Sequence, residues 1–189
     1  MTDRPIIYSA PMINGLIAGR KTQTRRLATS PLRRAMPGDR LWVKENFAYV
    51  GTSDPGFLLY AATWQQDAGR YRCENIPDKP PKWRPSIHMP RALSRITLTV
   101  TGVRSQNLHE ITDEDATAEG IIERENGGWH VPGVEHDNQD FPYLSRPTPR
   151  EMYAALWDTL HGGGAWLSDP AIIALTFTVA FHNIDRDPV

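Results

Sequence analysis

Three widely separated stretches of this chain alternate apolar and polar residues with period two, and that alternation limits the fold more than any other feature. In Arg95–Val103, Ile96, Leu98 and Val100 alternate with Thr97, Thr99 and Thr101, the pattern of a strand with one face on a core. In Leu41–Val50, Leu41, Val43, Glu45, Phe47 and Tyr49 share one face, with Trp42, Lys44, Asn46 and Ala48 on the other. In Ala171–Phe181, Ile173, Leu175, Phe177, Val179 and Phe181 form the inward face of a closing strand. Arg4–Tyr8 and Phe57–Thr63 read as two shorter strands.

Helical periodicity is confined to short segments. Ser9 can cap a helix whose buried stripe is Met12, Ile13, Leu16 and Ile17. Thr112 opens a capping box with Asp115, and Ile111 can staple onto Ala116. Thr148-Pro149-Arg150-Glu151 opens a third helix with the stripe Met152, Tyr153, Leu156, Trp157 and Leu160. Residues 64–90 and 121–147 read as two long loop insertions. About six strands, grouped and hairpin-like, with about three short peripheral helices predict an α+β domain: a small mixed β-barrel. At 189 residues the chain is expected to form one domain spanning 1–189.

Into this plan falls a segment of unusual chemistry, Gly19-Arg20-Lys21-Thr22-Gln23-Thr24-Arg25-Arg26. A core strand cannot bury that much charge unpaired. Gly19 reads as the left-handed residue that ends the first helix. An extended exit then points Lys21 and Gln23 one way and Thr22 and Thr24 the other. A local twist or bulge is needed to bring Lys21 and Thr24 to a common site.

Glu119 ends the helix opened by Thr112, where a negative charge opposes the helix dipole. It either frays into solvent or finds a cation, and Lys21 is the candidate. Glu45, on an apolar face, must be paired or protonated; it either bridges an arginine for structure or binds ligand. Trp83 and His88 lie on a loop that interleaves aromatic and basic side chains. That loop either packs as a rigid lid or stacks and clamps a base.

Charge is unevenly spread behind a net of −1. Six arginines and one lysine lie between Arg20 and Arg40 against Asp39 alone, and seven acids lie between Glu110 and Glu125 against Arg124. Solvated faces of opposite sign are the default reading of any one charge run; two basic stretches flanking one candidate site, the second from Lys79 to Arg95, fit an anionic or nucleic-acid-derived ligand. The single cysteine, Cys73, excludes an internal disulfide and a cysteine-based zinc cluster and suits a reducing cytoplasm. The first residues lack the plan of a signal peptide, and no apolar run approaches the ~20 residues of a membrane span; a cytoplasmic protein is expected. The spacing of His130, His136 and Asp137 matches no zinc signature, so no metal and no cofactor is expected. Gly-Arg-Lys-Thr is not a phosphate-binding P-loop, because the glycine spacing is wrong and the helix precedes the segment.

With Lys21, Thr24 and Glu119 in hand, the sequence resembles the ASCH domain family, a branch of the PUA-like β-barrels associated with RNA. The family's mark, Gly-x-Lys-x-x-(Glu or Thr)-x-Arg, is met by Gly19, Lys21, Thr24 and Arg26; Gly38-Asp39-Arg40-Leu41 and Ala118-Glu119-Gly120 match further segments. The threonine variant resembles the bacterial amidohydrolases that deacylate N4-acetylcytidine. That resemblance implies a PUA-like barrel and a catalytic Lys21, Thr24 and Glu119. Substrate contacts are expected from Arg26, Glu45, Trp42, Trp83 and His88, with an acylated pyrimidine nucleoside or base as the partner. Either Lys21 or Glu119 can serve as base. The competing expectation is an RNA- or modified-nucleotide-binding module, or a ribonuclease, without amidase activity.

Overall fold

The computed structural model describes residues 1–51, 56–71, 79–125, 127–134 and 145–186. Cys73, His136 and Asp137 lie outside the described residues. The chain runs β1 (Asp3–Ile7), α1 (Ala10–Ile17), β2 (Gln23–Leu27), β3 (Arg40–Lys44), β4 (Phe47–Val50), β5 (Phe57–Tyr60) and α2 (Trp64–Tyr71). It continues with β6 (Thr97–Asn107), α3 (Asp113–Ala118), β7 (Ile122–Glu123), β8 (Trp129–His130), α4 (Pro149–His161) and β9 (Ala171–Ala180).

Five strands form one sheet in the order β1-β3-β6-β9-β2, while β4-β5 and β7-β8 are separate two-stranded ribbons. β1 and β3 pair in parallel; β3-β6, β6-β9 and β9-β2 are antiparallel. The architecture is mixed α+β, as expected, but the sheet is open. Among the described residues no backbone ladder joins its edge strands β1 and β2. A side chain connects those edges instead: Arg26, on β2, donates to the carbonyl oxygen of Ile7 at 3.0 Å.

The last strand explains how so small a sheet supports two cores. Ile173, Leu175 and Phe177 of β9 face a cluster with Ile6, Tyr8, Ile13, Leu16, Leu41, Val43, Leu98 and Val100. Ile172 and Ala174, on its other face, pack with Leu108, Ala116, Met152, Tyr153 and Trp157 beneath α3 and α4. A strand covered on both faces reads as a continuous apolar run, which Ala171-Ile172-Ile173-Ala174-Leu175 is.

Several expectations are corrected at the ends of elements. Ile17 at 39%, Leu160 at 60% and Phe181 at 61% exposure have left their stripes for the surface: Ile17 and Leu160 stand in the last turns of α1 and α4, and Phe181 lies one residue past β9. Ser9 occupies the N-cap position of α1 without making a side-chain cap. Leu41–Val50 is two strands, not one, because the chain leaves the main sheet at Glu45-Asn46 and pairs β4 with β5. The first loop insertion contains α2, and the second contains the β7-β8 ribbon.

Candidate functional site

Lys21 does not belong to the strand that follows it. Gly19 adopts φ +70°, the left-handed turn read from the sequence, and the carbonyl of Gly15 accepts from the backbone N–H groups of both Arg20 and Lys21. The chain has thus doubled back over the end of α1 before β2 begins at Gln23, so strict alternation does not govern Lys21. A Cβ added to Gly15 would stand 3.3 Å from the Cβ of Lys21, which shows how tightly this turn packs on the helix. Thr24 and Arg26 then follow on one face of β2, where Thr24 lies opposite Leu175 of β9.

Glu119 arrives from the other side of the molecule. Thr112 caps α3 by accepting from the N–H of Asp115, and Glu119 is the C-cap, followed by Gly120 at φ +104°. The Thr22 N–H donates to the Ala118 carbonyl at 2.8 Å, tying the end of α3 to the start of β2. Lys21, Thr24, Arg25 and Glu119 are all at least 96% buried.

The ion pairing is dense. Lys21 Nζ donates to Glu119 Oε2 at 2.6 Å and to the Glu119 carbonyl at 3.1 Å. Arg25 Nη1 takes the other carboxylate oxygen, Oε1, at 3.1 Å. Arg25 also pairs with Asp115 at 2.8 Å, and Asp115 in turn accepts from Arg104 at 2.6 Å. Each buried charge therefore meets an opposite one, the condition for burying it at all. Burial pushes the Lys21 amine below its ordinary 10.5; Glu119 opposes that shift, and Arg26 and Arg25 add to it.

Lys21, Thr24, Arg26 and Glu119 line one cavity of about 270 Å³ together with Ile7, Tyr8, Ser9, Met12, Leu156, Leu160 and His161. Its walls come from the end of β1, α1, β2, the end of α3 and the last turn of α4. The volume falls just below that of typical small-molecule sites, roughly 300–1,000 Å³. Arg26 Nη1 donates to Thr24 Oγ1 at 2.9 Å, and its guanidinium lies 5.2 Å from the Tyr8 ring centre. Among the described residues no hydrogen bond joins the Lys21 amine to the Thr24 hydroxyl.

The other four residues expected to contact substrate do not line this cavity. Glu45 is buried and bound by Arg95 through two hydrogen bonds of 2.8 and 3.0 Å, the structural bridge that its position allowed. Trp42 lies on β3 with Lys44 Nζ 5.3 Å from its ring centre. Trp83 is half-buried beside Arg84, whose backbone bridges to Phe47, and His88 is exposed in the turn Ser86–His88. Among the described residues no group of three or more His, Cys, Asp or Glu stands together to hold a metal. No helix among them is long and apolar enough to cross a membrane.

Two cavity residues escaped the sequence reading. His161 stacks on Trp157 with ring centres 4.1 Å apart, and burial, with Arg26 adding, pushes its pKa below the ordinary 6.5. A histidine in the last turn of a helix carries no signal that would have singled it out. Tyr8 had one, since it lies two residues beyond Ile6 and one past the end of β1, on the same inward side, but it read as the end of an apolar run.

No protein-family model matches the sequence, and no curated protein matches it. Solved structures do. The chain is similar to hypothetical protein PH0355 at 11% identity and a TM-score of 0.46, over 95% of this chain and 100% of that one. It is also similar to the ASCH domain from Lactobacillus crispatus JV V101 at 13% identity and a TM-score of 0.39, over 96% of this chain and 81% of that one.

Proposed function

We propose that this chain is an ASCH-type amidohydrolase that removes an acyl group from the exocyclic amine of an N4-acylcytidine-type nucleoside. The observation that carries this reading is the convergence of the buried Lys21 amine, Thr24 hydroxyl and Glu119 carboxylate on one small cavity. Both oxygens of Glu119 already accept from cations, Lys21 on one and Arg25 on the other. Glu119 is therefore the group that holds Lys21. The Lys21 amine, pushed below its ordinary value chiefly by burial, is the base.

In the first step the neutral Lys21 amine takes the Thr24 proton while Oγ1 attacks the acyl carbon, and the carbonyl electron pair moves onto its oxygen. Arg26, already donating to Oγ1, eases charge build-up on the nucleophile. Collapse of the intermediate breaks the bond from carbon to the exocyclic nitrogen, which recovers a proton from the Lys21 ammonium. Water, deprotonated by the same amine, then attacks the threonine ester; the bond to Oγ1 breaks, Oγ1 regains its proton from the Lys21 ammonium, and the carboxylic acid is released. The amine must swing from Glu119 toward Thr24, a contact that substrate binding tightens.

The experiment is deacylation of N4-acetylcytidine followed by ultraviolet absorbance, with Lys21→Ala, Thr24→Ala and Glu119→Gln beside the wild type. Each substitution is expected to lower kcat/KM by roughly 10²–10⁴. Wild-type turnover left intact by all three would remove the site from the reaction.

A further inference from the structure

We propose that the Tyr8 phenol is a further catalytic group in this cavity, the hydrogen-bond donor to the oxygen that becomes negative when Thr24 attacks the acyl carbon. The proposal rests on the amide hydrolysis proposed for this cavity and assigns it a part that Lys21, Thr24 and Glu119 leave unfilled. None of those three is free to donate to that oxygen: Lys21 directs its hydrogens to Glu119 and passes the proton it takes to the leaving nitrogen, Glu119 accepts, and Thr24 becomes bonded to the acyl carbon.

The geometry singles out Tyr8. It follows β1 in the same extended run, with its N–H donating to the Lys44 carbonyl at 3.1 Å. Alternation turns its side chain inward beside Ile6 while Ile7 points out. The side chain is 96% buried and lines the cavity. Its hydroxyl meets no partner at full hydrogen-bond geometry, and the Thr24 hydroxyl, the proposed nucleophile, stands within its hydrogen-bonding reach. A buried phenol ordinarily finds a partner; one whose neighbour is the nucleophile itself turns its donor to the acyl oxygen once Thr24 is bonded to the acyl carbon.

The ring is also held in place. The Lys21 amine lies 5.6 Å and the Arg26 guanidinium 5.2 Å from its centre, positions in which cations hold an aromatic face. A carbonyl carbon bonded to Thr24 Oγ1 carries its oxygen about one bond length further on, within the space Tyr8 borders. Fixed donors aimed at such a developing charge are among the strongest contributions to acyl transfer. Burial, with Arg26 and Thr24 acting against it, pushes the phenol up to about 12. The O–H therefore stays on throughout the range in which the lysine amine loses its proton.

The test is Tyr8→Phe, which keeps the ring, its packing and both cation contacts and removes only the hydroxyl. With N4-acetylcytidine as substrate, kcat is expected to fall by about 10² or more, with KM within a few-fold of wild type. The thermal midpoint should stay close to the wild-type value, since the hydroxyl makes no hydrogen bond of full geometry. Undiminished kcat in folded Tyr8→Phe, beside an active wild type, overturns the donor role and leaves the amidase reading standing. A change in KM alone also overturns it, because that is the mark of a group that binds ground and transition states alike. A wild type that releases no acetate overturns both.

Discussion

Lys21 is surrounded by charges that pull its protonation in opposite directions, and each can be removed separately. Burial lowers its pKa, Glu119 raises it, and Arg26 and Arg25 lower it. If the neutral amine is the base, kcat/KM rises with pH along a limb whose midpoint lies below the ordinary 10.5. Glu119→Gln deletes the raising charge, so the limb should move to lower pH even as the rate drops. Arg25→Gln deletes a lowering charge and should move the limb to higher pH. Rate profiles from pH 6 to 10 check both directions, and limbs moving the opposite way would contradict Lys21 as the base. Arg25 matters because it lies outside the proposed reacting set yet touches both Glu119 and Asp115. At this scale the sequence was legible for chemistry and illegible for pairing. Of the two readings open for Glu119, fraying into solvent or pairing with Lys21, the structure has the pair, but nothing along the chain indicated that Arg25 would share it. Nor did an apolar face distinguish Glu45, bound to Arg95, from a carboxylate facing ligand.

The site depends on short elements whose ends are fixed by specific residues. α3 has only six residues, its N-terminus capped by Thr112 and its C-terminus carrying Glu119 into the cavity. Thr112→Ala should cost about 1 kcal/mol of stability, read by urea denaturation, with Thr112→Ser restoring most of it. Gly120, at φ +104° directly after Glu119, holds a backbone conformation that side chains resist. Gly120→Ala should cost about 1–3 kcal/mol and reduce deacylation more than its stability loss accounts for, because Glu119 moves with it. Boundaries governed by local chemistry were readable: the Thr112 and Thr148 caps and the Gly19 turn all stand where their residue types predict. Those governed by tertiary pairing were not. β4 parts from β3 because β5 offers it a partner, and no residue in Lys44-Glu45-Asn46-Phe47 announces that break. The helix α2 formed in a stretch whose later prolines suggested only a loop.

For the molecule as a whole, the fold class was legible and the closure of the sheet was not. Alternation gives the strands and their inward faces, whereas closure depends on whether the edges β1 and β2 meet by backbone or by a side chain such as Arg26. The acid stability should reflect ties between distant segments. Burial opposes ionisation of Asp3, but its hydrogen bonds from Arg40 and Arg91 outweigh that and hold the carboxyl below its ordinary 3.8. Burial likewise opposes ionisation of Asp115, where Arg104 and Arg25 outweigh it. A depressed carboxylate contributes stability above its unfolded value, and that contribution is lost as pH falls through the folded one. Glu45 acts in reverse. Burial holds it above 4.5 despite Arg95, so its contribution improves as pH falls toward 4.5. Stability should therefore decline chiefly below pH ~4, and Asp3→Asn should flatten that decline in acid titrations followed by circular dichroism.

The central claim is that a buried amine, hydroxyl and carboxylate meet at one small cavity to cleave an exocyclic amide. Its most direct test is the absorbance change of N4-acetylcytidine incubated with wild type and with Thr24→Ala. The account predicts conversion to cytidine by the wild type and at least a 100-fold slower reaction with the variant. Equal rates from the two proteins, or no conversion by the wild type, would contradict it.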